Sequence, residues 1–479
     1  MPIPEQVEKV HFIGIGGYGM SALALILLQK GYRVSGSDLK ISPLTESLAR
    51  QGAQIVTGHG PENIGSAELV VYSTAVPKGN PELIAATEKN RLLWHRSELL
   101  AALLNQACGI AIAGAHGKTT TTAMVALLLE QGGLDPTAII GGVLPVYGSN
   151  ARLGSSEYLV AEADESDSSF TRYYPHLALV TGMEADHLEH YNNEYDRLKE
   201  AYRTFLSHID STGAALLCAE DPALSELGAK LKSPVYRYGL ESGQESLNNA
   251  SANHSPDYYA TSISLENRSA SFDFCFRGEK LASKVQLAVP GRHNVINATG
   301  ALALAHILGL DVKACAPALR AFSGVGRRFE IIGSIDGITV VDDYAHHPTE
   351  IRATIEAARP GCRRLICIFQ PHRYTRTAWF LDEFSRAFSD ADLLLLHSVY
   401  SAGEVPIPGA TSEVLADKIR EHSNIPVFYS DYLFMLEEQV LAICRPGDLI
   451  ITMGAGDITT LAPGIFSRLQ ERQKEGPRS

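Results

Sequence analysis

Cysteine is sparse and unpatterned in this sequence. The 7 cysteines are scattered through 479 residues. The nearest pair, Cys362 and Cys367, has the spacing of neither a redox motif nor a zinc knuckle. An odd number without a framework implies reduced, mostly buried thiols in a reducing compartment. Positive charge is also short: Lys and Arg number 41 against 54 Asp and Glu, a formal net charge of −13. That balance argues against non-specific binding to nucleic acid or to an anionic membrane. It leaves discrete anionic ligands open, since a nucleotide site needs only a few local cations and oriented amides. No apolar run approaches the ~20 residues of a membrane helix. The beginning of the chain runs into a strand pattern, Val10-His11-Phe12-Ile13, so no signal peptide is expected. The expectation is a cytoplasmic protein without nucleic-acid or membrane partners.

What is present is an ordinary globular balance, 45% hydrophobic and 20% charged, in a chain long enough for about three domains. Three segments each begin with a strand, a turn and a helix, and such alternation predicts parallel sheets with crossover helices. The expected fold is α/β in three domains. They are a Rossmann-like domain at 1–108, a P-loop-type ATPase-like domain at 109–325 and a second Rossmann-like domain at 326–479. The stretch 241–256, rich in Ser, Asn and Gly, reads as a surface loop or insertion. In the third segment, strands ending near 342, 369 and 453 are near-continuously apolar, as in sheets covered on both faces. Polar residues gather past their carboxyl ends, where ligands of such sheets bind.

The most informative stretch is Gly-Ala-His-Gly-Lys-Thr-Thr-Thr-Thr at 114–122. It lies between the apolar strand at 110–113 and an apolar helical run at 123–129. A glycine turn between strand and helix leaves backbone N–H groups to hold phosphate oxygens at the positive end of the helix dipole. Lys118 would reach the outer phosphates, and the Thr119 hydroxyl would ligate magnesium. The generic nucleotide loop needs glycine where Ile112 stands, so this is a shortened form, Gly-x-x-Gly-Lys-Thr.

A second glycine turn, Gly14-Ile15-Gly16-Gly17-Tyr18-Gly19, matches the dinucleotide fingerprint. Asp38, at the end of the next strand, is placed to hold a ribose or to cap a turn. Alone, this pair would describe an NAD-dependent dehydrogenase. The glycines suit any pyrophosphate, however, including that of a UDP-sugar, and a dehydrogenase has no need of a second phosphate loop. Glu162-Ala163-Asp164-Glu165-Ser166-Asp167 follows a strand, and a carboxylate there could meet the ion at Thr119 or belong to a solvated acidic loop. His187 follows the next strand and could serve a second metal, orient a phosphate or be structural. Asn294 and Asn297 could read a base edge or cap a helix. Arg327 and Arg328 could clamp phosphates.

In order along the chain, these motifs are joined by Asp-His-Leu, Gly-Arg-His-Asn-Val-x-Asn, Arg-Arg-Phe-Glu, Asp-Asp-Tyr-Ala-His-His-Pro-Thr-Glu, Pro-His-Arg-Tyr-Thr-Arg-Thr and Gly-Ala-Gly-Asp-Ile. The ordered set, from residue 10 to about 460, resembles the Mur ligases of peptidoglycan synthesis. The resemblance implies an enzyme that uses ATP and magnesium to join L-alanine to the lactyl carboxylate of UDP-N-acetylmuramate through an acyl phosphate, as a monomer or homodimer. By resemblance, Gly14, Gly16, Gly17, Gly19 and Asp38 would bind the UDP-sugar. Gly114, Ala115, His116, Gly117, Lys118, Thr119 and Thr120 would bind ATP, with Asn294, Asn297, Arg327 and Asp343. Magnesium would sit at Thr119 and Glu162, with a second site at His187. Tyr344, His346, Arg373 and Arg376 would face the amino acid and phosphate. Lys118, Glu162, His187 and His346 would form the catalytic set, with His346 the candidate acceptor of the amine proton. A recycling ligase that attaches a preformed tripeptide to the same sugar nucleotide is the nearest rival. The loops at 342–350 and 370–377 favour L-alanine. One departure is Gly182, where the family commonly has asparagine.

Overall fold

The computed structural model describes residues 2–241, 255–266 and 268–475. The expected surface loop at 241–256 falls almost wholly outside them. Three sheets follow one another along the chain, and the fold is three-domain α/β. The chain forms two compact units. One comprises Met1–Ile263, Ser271–Gln286 and Val295–Phe322, and the other Ser264–Ala270, Leu287–Asn294 and Ser323–Ser479.

The first unit contains the first sheet and nearly all of the second. The first sheet is built from β1 (Lys9–Ile13), β2 (Arg33–Asp38), β3 (Gln54–Thr57), β4 (Leu69–Tyr72) and β5 (Leu92–His95). They are parallel throughout and ordered β3-β2-β1-β4-β5. The order reverses between β1 and β4, which makes a crevice at their carboxyl ends. Four helices connect these strands or follow them: α1 (Tyr18–Gln29), α2 (Pro43–Arg50), α3 (Pro81–Glu88) and α4 (Arg96–Leu104).

The second sheet has ten strands: β6 (Cys108–Ala113), β7 (Thr137–Leu144), β8 (Ser149–Arg152), β9 (Tyr158–Glu162), β10 (Leu177–Val180), β11 (Ala214–Cys218), β12 (Val235–Leu240), β13 (Tyr258–Glu266), β14 (Ser269–Phe276) and β15 (Glu279–Leu287). Their order is β15-β14-β13-β12-β11-β10-β6-β9-β7-β8. The strand β6 lies parallel between β10 and β9, so the loops after all three open at one edge. The helix α5 (Lys118–Gln131) leaves β6 and buries every residue from Thr120 to Leu129. A helix apolar all round belongs inside a domain.

The second unit holds the third sheet: β16 (Glu330–Ile335), β17 (Ile338–Asp343), β18 (Arg364–Phe369), β19 (Leu393–His397), β20 (Val427–Ser430) and β21 (Asp448–Met453). Its order is β16-β17-β21-β18-β19-β20, and only the β16–β17 pair is antiparallel. Separate apolar clusters around Phe369 and Ile368 cover its two faces. No helix among the described residues is long and apolar enough to cross a membrane.

Candidate functional site

The shortened phosphate loop is defined by two glycines in left-handed backbone. Gly114 has φ +126°, and a Cβ there would lie 2.2 Å from Thr181 Oγ1 and 2.9 Å from the Gly182 backbone. Gly117 has φ +82°, and its Cβ would meet the Asn297 amide at 2.7 Å. Only glycine fits either place. Ile112, by contrast, is a fully buried strand residue paired in register with Glu162. The position where a longer loop carries glycine is therefore inside the sheet. The helix α5 begins at Lys118, five residues before the apolar run at 123–129 suggests. That places Thr119 and Thr120 in its first turn. This end has no side-chain cap and no acidic residue in its first turn, whereas α2 and α3 are capped by Ser42 and Asn80. Its amides are oriented for an anion.

Lys118 Nζ donates to the Gly114 carbonyl at 2.6 Å and to both carboxylate oxygens of Glu165 at 2.8 Å. Burial disfavours the ammonium, but the charges of Glu165 and Asp164 outweigh it and hold the lysine pKa above its ordinary value. Burial also pushes Asp164 up, yet Arg96, 2.7 Å away, and Lys118 bring its carboxyl below the usual range. Sequence patterning singled out neither Glu165 nor Arg96. The former was one acid among several, and the latter sits in a different domain-sized segment. The Tyr191 hydroxyl donates to the Glu165 carbonyl and pins the same loop.

Thr119 Oγ1 donates to Glu162 Oε2 at 3.1 Å, and Glu162 also accepts from the Gly141 N–H. Hydroxyl and carboxylate oxygens converging beside the phosphate loop fit magnesium, which prefers hard donors and keeps several waters. His187, at φ +56°, lies on the loop after β10, between Asp186 at 3.6 Å and Glu189 at 3.8 Å. Its ring is thus held by carboxylates on the same sheet edge. His116 is 3.3 Å from Glu184. Gly182 contributes backbone: its carbonyl accepts from Ala115 N at 2.9 Å, a bond that any side chain would leave intact. Asn297 reaches the loop at Gly117. Asn294 instead donates its amide to the Pro290 carbonyl at 2.6 Å. Neither asparagine is an N-cap, because the helix Arg292–Ile307 already includes both.

The first glycine turn rests on β2. Gly14 and Ile15 donate to the Ser37 carbonyl at 2.8 and 3.0 Å, and Gly16 N donates to Asp38 Oδ2 at 2.8 Å. Asp38 therefore organises the turn with one oxygen. Its other oxygen accepts from Lys40 N at 3.4 Å, across the turn that follows β2. The first three amides are thus held internally, and the start of α1 follows directly. Its N-cap, Gly17, has no side-chain hydrogen bond, and Gly19 follows in the first turn. A cavity of about 520 Å³ opens beside the turn, lined by Gly16, Tyr18, Ser42, Arg50 and Asn150 among others.

In the second unit, polar residues cluster past the ends of β17, β18 and β21. Arg327 bonds Asp342 at 3.2 Å and the Gly454 carbonyl at 2.7 Å. The guanidinium carbons of Arg327 and Arg328 lie 4.9 and 5.0 Å from the Tyr344 ring centre, within cation–π range. Asp343 accepts from Phe329 N at 2.8 Å and Ala345 N at 2.7 Å, and burial pushes its carboxyl up to about 6. Both oxygens are engaged by the backbone of the loop that Asp343 helps to shape. His346 Nδ1 donates to the Tyr344 carbonyl at 2.8 Å, the tautomer following from that bond. Burial takes its imidazole down to about 3, with Glu350 opposing and Arg376 adding to the fall. The Nδ1 bond leaves Nε2 as the ring nitrogen that would take up a proton. Arg376 is buried, with its guanidinium 3.5 Å from His372 Nδ1, and His372 stacks on Tyr400 at 5.6 Å. Arg373 takes φ +70° and donates its N–H to the Tyr400 carbonyl at 2.8 Å. The pairing with Tyr400 had no sequence signal, because it depends on the neighbouring strand β19.

The comparisons with known proteins cover the same ground. Residues 9–107 match a family model described as the Mur ligase family catalytic domain, 112–305 the Mur ligase middle domain and 327–456 the Mur ligase glutamate ligase domain. The UDP-N-acetylmuramate–L-alanine ligase of Pelotomaculum thermopropionicum is 45% identical over 98% of this chain and 100% of its own. That of Symbiobacterium thermophilum is 46% identical over 98% and 96%. Among solved structures, the UDP-N-acetylmuramate–alanine ligase of Thermotoga maritima superposes with a TM-score of 0.81 at 29% identity, covering 97% of this chain and 99% of that one. A murein peptide ligase from Psychrobacter arcticus gives 0.69 at 28% identity, over 97% and 98%.

Proposed function

The chain belongs to the Mur ligase family, and from that footing we propose that it joins L-alanine to the lactyl carboxylate of UDP-N-acetylmuramate at the expense of ATP. The observation that carries the reading is the full-length likeness to ligases of that name, together with two separate glycine turns, each delivering an uncapped helix start. The division at 1–108, 109–325 and 326–479 is part of the same proposal, as are the roles of the residues below.

A carboxylate is a poor acyl donor because oxide is a poor leaving group. In the proposed reaction a lactyl carboxylate oxygen attacks the γ-phosphorus in line, ADP departs, and an acyl phosphate remains. The alanine amine, once deprotonated, attacks the acyl carbon, and the tetrahedral intermediate expels phosphate. Phosphoryl transfer depends on positioning and charge neutralisation rather than on a protein nucleophile. Lys118 supplies a permanent positive charge at the loop, and the first amides of α5 supply the oriented dipoles. Magnesium held at Thr119 and Glu162, with a second ion at His187, would neutralise phosphate charge. The start of α1 faces the pyrophosphate of the sugar nucleotide. Arg327 and Arg328 bracket Tyr344, and Tyr344, His346, Arg373 and Arg376 would face the amino acid and phosphate, with His346 the candidate acceptor of the amine proton.

The test is phosphate release from purified protein given UDP-N-acetylmuramate, L-alanine, magnesium and ATP. Release should require all four. Hydrolysis of ATP without the sugar nucleotide and alanine would remove the ligase reading, and turnover with the tripeptide but not L-alanine would move the assignment to the recycling activity.

A further inference from the structure

Beneath the first glycine turn lies a polar cluster that the proposed chemistry does not use. Glu82, in the first turn of α3, is fully buried, as are His11 on β1 and Ser37 on β2. The Glu82 carboxylate accepts from Ser37 Oγ at 2.6 Å, from Asn63 Nδ2 at 2.7 Å and from Gly60 N at 3.3 Å. His11 Nε2 lies 3.2 Å from one of its oxygens and His59 Nδ1 lies 3.4 Å from the other. His59 Nδ1 is also 3.0 Å from Ser37 Oγ, and His11 Nδ1 is 2.9 Å from Ser35 Oγ.

A buried carboxylate is costly unless its hydrogen bonds are complete, and an apolar residue would stabilise the same core at least as well. The arrangement therefore calls for a reason beyond stability. Its donors come from β1, from β2 and from the segment after β3, while Glu82 itself stands on the helix after β4. One side chain thus ties together the elements around the crevice where β1 and β4 diverge. Its shortest bond is to Ser37, whose backbone carbonyl receives Gly14 N and Ile15 N. On either side of Ser37, Gly36 leaves no room for a Cβ, which would sit 2.5 Å from Ile15 Cδ1, and Asp38 takes Gly16 N.

We propose that Glu82 is a positioning residue for the sugar-nucleotide site: acting through Ser37, it fixes the seat of the glycine turn on β2 and so aims the start of α1 at the pyrophosphate. The proposal rests on the reading that this turn holds the UDP-sugar. Glu82 touches no ligand, since it is enclosed. Its effect reaches the ligand only through backbone that it holds in place.

The experiment compares the full-length protein with Glu82→Gln and Ser37→Ala. Glutamine turns an amide toward groups that donate to the carboxylate. Alanine removes the Ser37 hydroxyl while keeping the carbonyl under the turn, and so gives a milder variant should Glu82→Gln fold poorly. In both, KM for UDP-N-acetylmuramate should rise about tenfold, the scale of a lost hydrogen bond to a charged group. KM for ATP and kcat should stay within about twofold, the signature of lost ground-state binding at one site. Thermal melts record the stability change separately. A lowered melting temperature with KM for the sugar nucleotide unchanged would make Glu82 merely structural and overturn the proposal. Calorimetric binding of UDP-N-acetylmuramate separates the two ideas. Wild-type protein that binds it without turnover refutes the ligase reading while the Kd of the variants still decides the role of Glu82. Wild-type protein that does not bind it refutes both.

Discussion

At the scale of single residues, the Lys118 ammonium is shared between the Gly114 carbonyl and Glu165, and in the proposed reaction the outer phosphates would compete with them for it. Lys118→Ala should reduce phosphate release by about 10²–10³-fold or more, the scale of a lost transition-state charge contact. It should also lower stability by about 3 kcal/mol, because a mostly buried Glu165 loses its counter-charge. Urea denaturation would record that loss. Adding Glu165→Gln to Lys118→Ala should recover much of the stability and none of the turnover. Glu82 gives a prediction with a pH sign. Burial raises its carboxyl, but His11, Ser37 and Asn63 outweigh burial and bring it down to about 2 from 4.5. A depressed carboxylate stabilises the fold above its unfolded pKa, and the contribution disappears as pH falls through the folded value. Wild type should lead Glu82→Gln by on the order of 3 kcal/mol near neutrality, at 1.36 kcal/mol per unit. The lead should narrow between about pH 4.5 and pH 2, and denaturant titrations at several pH values would show it. A gap that widened on acidification would contradict this account.

At the scale of elements, the two strand–turn–helix joints work by different means. The loop before α5 depends on space at Gly114, where a Cβ would collide with Thr181 Oγ1 and the Gly182 backbone. Gly114→Ala should therefore distort the loop, raise KM for ATP at least about tenfold and destabilise the fold by more than about 2 kcal/mol, strain and collision together. Gly133, just past α5, supplies the control. Its φ is +83°, but nothing lies within 4 Å of a Cβ there. Gly133→Ala should cost about 1–2 kcal/mol of left-handed strain and leave ATP kinetics unchanged. Much of this was legible in the chain itself. The Gly-Lys-Thr pattern, the strand before it and the helix after it located the joint. The helix α5 starts five residues ahead of its apolar run because its threonines, weakly helical by themselves, are mostly buried within its first turns.

At the scale of the whole molecule, the two compact units should unfold as separable steps, since the first sheet lies wholly in one and the third sheet with its core wholly in the other. The phosphate loop lies in the first unit. A non-hydrolysable ATP analogue at about 100 times its Kd should stabilise that unit by ~2.7 kcal/mol, seen by calorimetry as an upward shift of one transition. An equal shift of both transitions would show that nucleotide binding is not confined to the first unit.

The order of motifs along the chain was enough to determine the family, the α/β class and the place of the two glycine turns. Each of these is written in local chemistry: glycine where backbone must turn left-handed, and Lys and Thr where phosphate and metal oxygens are proposed to meet. Pairings across distance were decided only by the tertiary structure. Glu165 became the partner of Lys118 because the loop after β9 lies beside the loop after β6. Glu82 became the support of the first glycine turn because β1, β2 and β4 are neighbours in the sheet. The surroundings of Asp343 and His346 were decided for a related reason. Burial fixed their hydrogen bonds and shifted their proton affinities, and burial belongs to the packed sheet and its loops, not to any stretch of sequence.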